Sequence, residues 1–443
     1  MPDPNRKNFL SIDPTKPVVV VGTTPDYVAR ISHHYLETAL FILDIRHQED
    51  PFLEGVDPAD LFFTSFSDEE GVLHSFQDYL TGHHISPIGV ACFDCEHLAL
   101  AGRLAGDLHL PSPSVKAVLH SRNKLETRRL LNHAGLCTIQ AMPASGLDET
   151  LNFFRFIKNP IIIKPISGGG SELVFFCRNE DEIKEAVNVM EEQLPRRKEN
   201  PLFRVMNHYP SDSGIPDPYR TWIVEEYISG PEYSCDFIFA HDRVSIIRET
   251  GKVKAPDQTF GSVLAYTCPP SYPEAFSTEC LPPVFKDACT ILGFSWGYFM
   301  VDFIIRDNAP FIIEMSPRPG GDSIPDLVKT ATNCDTLGIY LDLVCGRPFL
   351  IGSKPLQVRA TGSLNLYAPH EGRITYLDVS EIQRQQIVKG VFLKKKLGDR
   401  ITLPPDDYDN RLLGYCIVSL DHETDPIALH QRLQTLIRVS IEN

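Results

Sequence analysis

Strand-like apolar runs alternate with helical stretches at the start of the chain, and this alternation constrains the fold more than any other feature. The strand-like runs cover residues 17–22, 40–45, 60–63 and 87–93, and the helical stretches cover 26–36 and 68–81. Strands joined by helices are typical of parallel α/β domains, because a parallel pair needs a crossover connection. We therefore expect a parallel α/β domain at the N-terminus. Its first turn, Gly22–Pro25, lacks the G-x-G-x-x-G pattern, which argues against a dinucleotide site and a dehydrogenase.

Proline and glycine divide the rest of the chain. The Pro-Ser-Pro-Ser sequence at 111–114 predicts a linker, and a helical stretch follows over 114–134. Prolines recur between residues 195 and 220, which indicates an irregular excursion such as a lid. A second irregular stretch is expected over 250–273, and a final helix over 426–439.

Charge and cysteine content exclude several classes of function. The 443 residues include 42 Lys and Arg against 58 Asp and Glu, which gives a formal charge of −16. Surfaces that bind nucleic acid or anionic membranes are usually basic, so neither partner is expected. No apolar run reaches the ~18 residues of a transmembrane helix, and Met1–Asn8 lacks the apolar stretch of a signal peptide. The 11 unevenly spaced cysteines fit a reducing cytosol, so we expect a cytoplasmic protein.

The close cysteine pair, Cys92 and Cys95, forms a C-x-x-C motif. A lone pair without a second pair is weak evidence for zinc or redox chemistry. We interpret both residues as small side chains at the end of a strand.

A lysine and a glycine loop form the first candidate site. Lys164 ends the apolar run Ile161–Ile163, and a Gly-Gly-Gly-Ser loop follows at 168–171. An ammonium group beside flexible backbone N–H groups can surround phosphate oxygens. The lysine precedes the glycines, so this is not a P-loop. The alternative is a solvent-facing lysine and an ordinary turn.

The second candidate site is the segment Val224–Glu232. A strand edge that runs into the Gly230-Pro231 turn can present backbone groups to an adenine edge, and Glu232 can accept hydrogen bonds from ribose hydroxyls. The alternative is a plain strand and turn with solvated acids.

The third candidate site is a pair of acids on a predicted hairpin. A hairpin centred on Asn308 would place Asp302 opposite Glu314, with Cβ atoms ~5 Å apart. Two like charges that close, flanked by apolar residues, need neutralisation, and a divalent cation with oxygen ligands provides it. Ser316 shares the face of Glu314, and Arg318 follows. The alternative is a surface carboxylate pair.

The order of these features resembles that of the ATP-grasp superfamily, and more narrowly that of carboxylate–amine ligases related to L-amino-acid (dipeptide) ligases. Residues 96–124 are similar to the entry into their grasp domain, and 409–415 to a motif of their C-terminal subdomain. The resemblance implies an α/β and α+β multidomain fold in three parts: a pre-ATP-grasp α/β domain over 1–113, an ATP-grasp domain over 114–350 with a mobile lid at about 138–225, and a β-rich C-terminal subdomain over 351–443.

The resemblance also implies roles for individual residues. It implies that ATP is bound by Lys124, Lys164, Gly169, Gly170, Ser171, Glu225, Glu226, Ile228 and Glu232, that Mg²⁺ (with Mn²⁺ as a substitute) is bound by Asp302, Glu314 and Ser316, and that Arg318 and Lys164 act in catalysis. Two positions depart from the usual pattern: Ser316 stands where many relatives carry asparagine, and Asn123 stands where aspartate is common. The pattern near Gly251-Lys252 and Phe260–Ser262 also differs from relatives, so the substrates need not be an ordinary dipeptide pair.

The activity implied by the resemblance is ligation of two small molecules. A substrate carboxylate would take the γ-phosphoryl group of ATP, and an amine would then displace phosphate to form an amide. Amino acids or their derivatives are the expected substrates, and homodimers are common among such relatives. The alternatives are an ATP-grasp ligase with another acceptor, carboxylase-like or in nucleotide biosynthesis, and a nucleotide-binding scaffold without turnover.

Overall fold

The computed structural model describes residues 13, 15–35, 38–203, 216–254, 260–348, 358–421 and 423–442. The α-helices in these ranges are α1 (Pro25–His34), α2 (Glu69–Gly82), α3 (Leu98–Asp107), α4 (Val115–Arg122), α5 (Lys124–His133), α6 (Leu147–Ile157), α7 (Glu180–Gln193), α8 (Leu281–Leu292), α9 (Ile324–Thr332), α10 (Thr336–Val344), α11 (Ser380–Gln383) and α12 (Pro426–Gln434). The β-strands are β1 (Val18–Val21), β2 (Ala39–Asp44), β3 (Leu61–Thr64), β4 (Gly89–Ala91), β5 (Ala141–Ala144), β6 (Ile161–Pro165), β7 (Phe175–Cys177), β8 (Trp222–Glu226), β9 (Glu232–Ala240), β10 (Arg243–Val253), β11 (Ala265–Cys268), β12 (Gly297–Arg306), β13 (Ala309–Ser316), β14 (Thr361–Tyr367), β15 (Gly372–Asp378), β16 (Val388–Leu393), β17 (Arg400–Ile401), β18 (Leu412–Ser419) and β19 (Arg438–Glu442).

The N-terminal strands form a four-stranded parallel sheet in the order β3-β2-β1-β4. The four valines of β1 are all buried, as a strand covered on both faces requires. Asp68 caps α2 by accepting a hydrogen bond from the Gly71 N–H. The predicted parallel α/β domain is therefore confirmed.

A second four-stranded sheet, in the order β5-β8-β6-β7, is antiparallel between all of its neighbours. We call it the lid sheet. Helices α6 and α7 share a core with it around Trp222, which is 1% exposed and donates its Nε1–H to Thr150 at 3.2 Å. Asn179 caps α7 with hydrogen bonds from the N–H groups of Asp181 and Glu182. Residues 204–215 of the expected irregular excursion lie outside the described residues.

An eight-stranded antiparallel sheet in the order β13-β12-β9-β10-β11-β14-β18-β16 forms the centre of the molecule. Strands β14, β16 and β18 belong to the C-terminal part of the chain, so this part extends the same sheet rather than forming a separate one. The expected boundary at residues 350–351 lies outside the described residues. A three-stranded sheet, β17-β15-β19, completes the C-terminal part.

Two expectations about local structure are wrong. The stretch 250–273 is not irregular throughout, because β10 continues to Val253 and β11 follows. The expectation was wrong because polar residues interrupt the apolar pattern of β10. One of them, Arg248, is accommodated inside the sheet by pairing with Asp236 at 2.6 Å. The final helix ends at Gln434, and Val439 and Ile441 alternate with exposed residues in β19, the period of a strand.

Among the described residues, none of the helices combines the length and the apolar character that a membrane span requires.

Candidate active site

A cleft lies between the lid sheet and the large sheet. Of the residues implied by the resemblance, it is lined by Lys124, Lys164, Gly169, Ser171, Glu225, Glu226, Ile228, Glu232, Asp302 and Glu314. Gly170 lies in the same loop as two of these residues, and Ser316 and Arg318 follow Glu314 at the end of β13. Lys124 and Glu314, which are 190 positions apart, are thus brought to one cleft by the topology.

Lys124 is placed by a break between two helices. The helical stretch expected over 114–134 is interrupted at Asn123, whose side chain accepts a hydrogen bond from the Glu126 N–H and caps α5. The Lys124 Nζ donates to the Gly168 carbonyl at 3.0 Å and lies 3.8 Å from a Glu314 carboxylate oxygen. Burial lowers the pKa of Lys124, and Glu314 opposes that shift. Lys124 therefore connects the glycine loop with a predicted metal carboxylate.

Lys164 belongs to a buried ionic triad. Its Nζ lies 2.5 Å from one Glu225 carboxylate oxygen, and Arg128 Nε lies 3.2 Å from the other. Burial alone would raise the pKa of Glu225, but Lys164 and Arg128 together lower it. The Glu225 side chain is thus occupied by cations, so contacts from this segment to a base would come from its backbone and from Ile228. Arg128 was missed in the sequence, because nothing local marks a partner 97 residues away.

The glycine loop needs its glycines. Gly168 and Gly170 have φ values of 138° and 61°, in the region that disfavours other residues. A Cβ on Gly168 would lie 2.9 Å from the Phe203 ring, and one on Gly170 would lie 2.7 Å from an Asp409 carboxylate oxygen. Asp409 belongs to the C-terminal motif at 409–415, so this motif packs against the tip of the loop.

The inner part of the cleft suits a flat apolar group. It is lined by Ile162 of β6, Ile304 of β12 and Ile228 of the loop after β8, together with Tyr227 and Phe260. The rings of Tyr227 and Phe260 both pack against Phe176, with centroids 4.5 and 5.4 Å away. Tyr227 and Phe176 were not recognised in the sequence as site residues, and Phe260 was noted only as part of a pattern that differs from relatives.

Two lysines, Lys252 near the end of β10 and Lys254 just after it, also line the cleft. Lys252 Nζ lies 2.9 Å from a Glu232 carboxylate oxygen and also pairs with Asp302. Lys254 pairs with the other oxygen of Glu232. Burial opposes ionisation of Glu232, but the two lysines lower its pKa to about 2. The sequence singled out Lys252 only as part of a pattern that differs from relatives, and it did not single out Lys254. Their pairing with Glu232 and Asp302 was missed because this stretch was expected to be irregular.

The predicted pairing of Asp302 with Glu314 is confirmed. The two residues face each other between β12 and β13, although a bulge next to Asp302 shifts the register nearer the turn, where Phe303 pairs with Ile312. Asp302 Oδ1 is buried and has no hydrogen-bond partner among the described residues. Burial raises the pKa of Glu314, but Lys124 and other cations lower it overall, so this carboxyl is held ionised. An unpartnered oxygen beside a second carboxylate is the donor set that a hard divalent cation prefers, so these residues fit Mg²⁺.

Arg318 lies two residues after the end of β13, the strand that carries Glu314. Its Nε lies 3.0 Å from the Cys95 Sγ, and its Nη1 donates to the Pro319 carbonyl at 2.7 Å. Ser316 is 2% exposed, and its hydroxyl lies 3.7 Å from the same sulfur. Cys92 and Cys95 are both buried free thiols. The contact between Cys95 and Arg318 was not foreseen.

Comparison with known proteins shows which domain the chain contains. Residues 157–326 match the model of the ATP-grasp domain. The crystal structure of an L-amino acid ligase from Bacillus licheniformis superposes with a TM-score of 0.78 and 20% identity, covering 97% of this chain and 99% of that one. The chain therefore contains an ATP-grasp domain, and the resemblance drawn from the order of the motifs is confirmed.

Two curated relatives show how far the similarity extends. An uncharacterized protein, y4rH, of Sinorhizobium fredii is 25% identical over 296 residues, which cover 66% of this chain and 55% of the relative. A D-alanine–D-alanine ligase of Paracidovorax citrulli is 23% identical over 260 residues, covering 56% of this chain and 69% of that protein. The chain thus spans about half the length of the first of these relatives.

Proposed function

We propose that the protein is an ATP-dependent ligase that activates a small carboxylate as an acyl phosphate and joins it to an amine, releasing ADP and phosphate. The observation that carries this proposal is the Asp302–Glu314 pair, with its unpartnered buried Oδ1, in the same cleft as Lys124 and the glycine loop. Carboxylates for a metal ion next to cations for phosphate oxygens are what transfer of a γ-phosphoryl group requires.

In the first step a carboxylate oxygen of the substrate attacks the γ-phosphorus, and the bond from that phosphorus to the bridging oxygen breaks to release ADP. Lys124 and the N–H groups of the glycine loop hold the phosphoryl oxygens, and Arg318 offsets the charge that develops on them. Asp302 and Glu314 would hold Mg²⁺, which supplies Lewis-acid neutralisation of the triphosphate. Mn²⁺ prefers the same oxygen ligands and is expected to replace it.

In the second step the amine nitrogen attacks the acyl carbon, the bond from carbon to the phosphate oxygen breaks, and the nitrogen loses a proton. The glycine loop lines the cleft and lies next to Phe203 and Asp409, so in this proposal it would cover the phosphates. Such a cover excludes water, which would otherwise hydrolyse the acyl phosphate.

The substrates are proposed to be amino acids or their derivatives. Two of the similar proteins carry the names of amino-acid ligases, one for L-amino acids and one for D-alanine. We propose a cytoplasmic setting, because all 11 cysteines are free thiols and many of them are buried.

The test is a screen for ADP release with ATP, Mg²⁺ and pooled carboxylates and amines, alone and in pairs, with mass detection of a dehydration product. We expect release to need both partners, and we expect Asp302→Asn and Glu314→Gln to reduce it by about 100-fold or more, as loss of a metal ligand does. Asp307→Asn, at the exposed turn of the same hairpin, is the matched control and should keep full activity.

Two outcomes would overturn the proposal. ADP release that depends on bicarbonate and needs no amine would indicate a carboxylase-like reaction. Release unchanged in Asp302→Asn and Glu314→Gln would remove this cleft as the site of reaction.

A further inference from the structure

Cys95 brings the N-terminal domain into contact with the reaction centre. It lies in the loop between β4 and α3, whereas Arg318 follows β13, 223 residues later. The sulfur is 3.0 Å from Arg318 Nε and 3.7 Å from the Ser316 hydroxyl, and the residue is 6% exposed. One side chain of the N-terminal domain thus touches two residues that follow the predicted metal carboxylate.

The loop that carries Cys95 is held from several sides. Asp94 accepts a hydrogen bond at 3.0 Å from the His97 ring. The Cys92 N–H donates to the Tyr340 hydroxyl at 3.1 Å, which ties the loop to α10. Because neighbours on both sides of Cys95 are fixed, its sulfur has a defined position from which to hold another group.

The guanidinium of Arg318 needs such a position. Pro319 accepts a hydrogen bond from Nη1 at 2.7 Å, and Cys95 contacts Nε, while Nη2 has no hydrogen-bond partner among the described residues. Two fixed nitrogens of a planar group determine where the third points. With the Cys95 contact removed, the side chain would be held at its tip by a single carbonyl.

We propose that Cys95 is a positioning residue that aims Arg318 at the transferred phosphoryl group, so that the N-terminal domain takes part in catalysis through this thiol. This rests on the proposed function only for the role of Arg318. Cys92, in the same C-x-x-C motif, has a different environment: its thiol contacts Asp94 and it does not contact the arginine. The two cysteines therefore form a matched pair for a test.

The experiment compares Cys95→Ala, Cys95→Val and Cys95→Ser with Cys92→Ala, measuring kcat and KM for ATP and for each ligation substrate, together with the melting temperature. Cys95→Ala and Cys95→Val should lower kcat by about 10- to 100-fold, the effect expected from a lost hydrogen bond to a charged group, with KM for ATP within about 2-fold. Cys95→Val refills the space of the thiol, so an equal loss in both variants assigns the effect to the missing acceptor. Cys95→Ser keeps an acceptor and should recover most of kcat.

Cys92→Ala changes a buried thiol of the same loop and should keep kcat. The inference is overturned if Cys95→Val keeps the wild-type kcat, or if Cys92→Ala and Cys95→Ala lose activity and melting temperature in parallel. Failure of the proposed function has a different signature, because wild-type protein would then show no ADP release that depends on both a carboxylate and an amine.

Discussion

The buried triad of Lys164, Glu225 and Arg128 gives the strongest test of how the lid sheet is held together. Replacing Glu225 with glutamine keeps the shape of the side chain and removes its charge. Arg128 would keep its hydrogen bond to the Ile312 carbonyl at 3.0 Å, but Lys164 has no other ion-pair or hydrogen-bond partner among the described residues. Glu225→Gln therefore leaves a lysine ammonium without a counter-charge in a site where both side chains are only 5–6% exposed.

The magnitude follows from this burial. Two unit charges 4 Å apart interact by about 4 kcal/mol at an effective dielectric constant of 20, and removing one partner of a buried pair costs about 3–5 kcal/mol. We expect Glu225→Gln to lower the free energy of unfolding by that amount at pH 7. The folded-state pKa of Glu225 is lowered, so its contribution is present above the unfolded value near 4.3 and is lost as the pH falls. The difference from wild type should accordingly shrink in acid.

The assay is urea unfolding followed by the fluorescence of Trp222, which lies on the same strand as Glu225 and is 1% exposed. The chain has two tryptophans, so a Trp296→Phe background isolates the signal. The matched control is Glu226→Gln, since Glu226 is partly exposed and lies 3.7 Å from Arg306, a pair worth at most about 1 kcal/mol. If Glu225→Gln unfolds within 1 kcal/mol of the control, the reasoning about the triad is refuted.

Two further predictions concern the cleft. Gly168→Ala should raise KM for ATP by about 10-fold, because φ is 138° and the new Cβ would lie 2.9 Å from the Phe203 ring. The control is Gly169→Ala, whose Cβ would meet Leu202 at 3.5 Å. An equal rise in KM for both variants in steady-state kinetics would contradict the role given to the Gly168 conformation. Glu232, with a pKa lowered to about 2, contributes stability above pH 4.3 that is lost as the pH falls towards 2. Glu232→Gln should therefore make the stability less dependent on pH over that range, measured by a pH titration followed by circular dichroism. An unchanged curve would show that Lys252 and Lys254 do not stabilise this carboxylate.

The sequence was most informative where a local periodicity implies a spatial relation. Strands that alternate with helices predict the parallel N-terminal sheet, because few other topologies use that order. The pairing of Asp302 with Glu314 could also be predicted, since a short turn fixes which residues of a hairpin face each other. Nearer the turn the register differs by one residue from that of Asp302 and Glu314, and the bulge beside Asp302 makes up this difference. The predicted pairing therefore depends on the bulge.

The sequence was least informative where partners are distant along the chain. Arg128 meets Glu225 across 97 residues, and Cys95 meets Arg318 across 223. Neither contact follows from spacing, because both depend on how whole elements pack. The ion pairs of Lys252 could not be predicted for a different reason, because charged residues interrupt the apolar alternation of β10. Burial of Lys252 is tolerable only because it pairs with carboxylates on β9 and β12.

The charge balance of the cleft joins these two kinds of information. Two opposed carboxylates require a neutralising cation, and the protein itself supplies one for each: Lys252 pairs with Asp302, and Lys124 lies 3.8 Å from Glu314. A divalent ion bound to these carboxylates would replace both lysines as the neutralising charge. Lys252 would keep its contact with Glu232, and the ammonium group of Lys124 would be left for phosphate oxygens in the same cleft. Binding of this kind would need no basic surface, because the positive charges already lie in the cleft, paired with its carboxylates. Under the proposed function, a chain of formal charge −16 would therefore bind a triphosphate with the charges that hold its own acids in place.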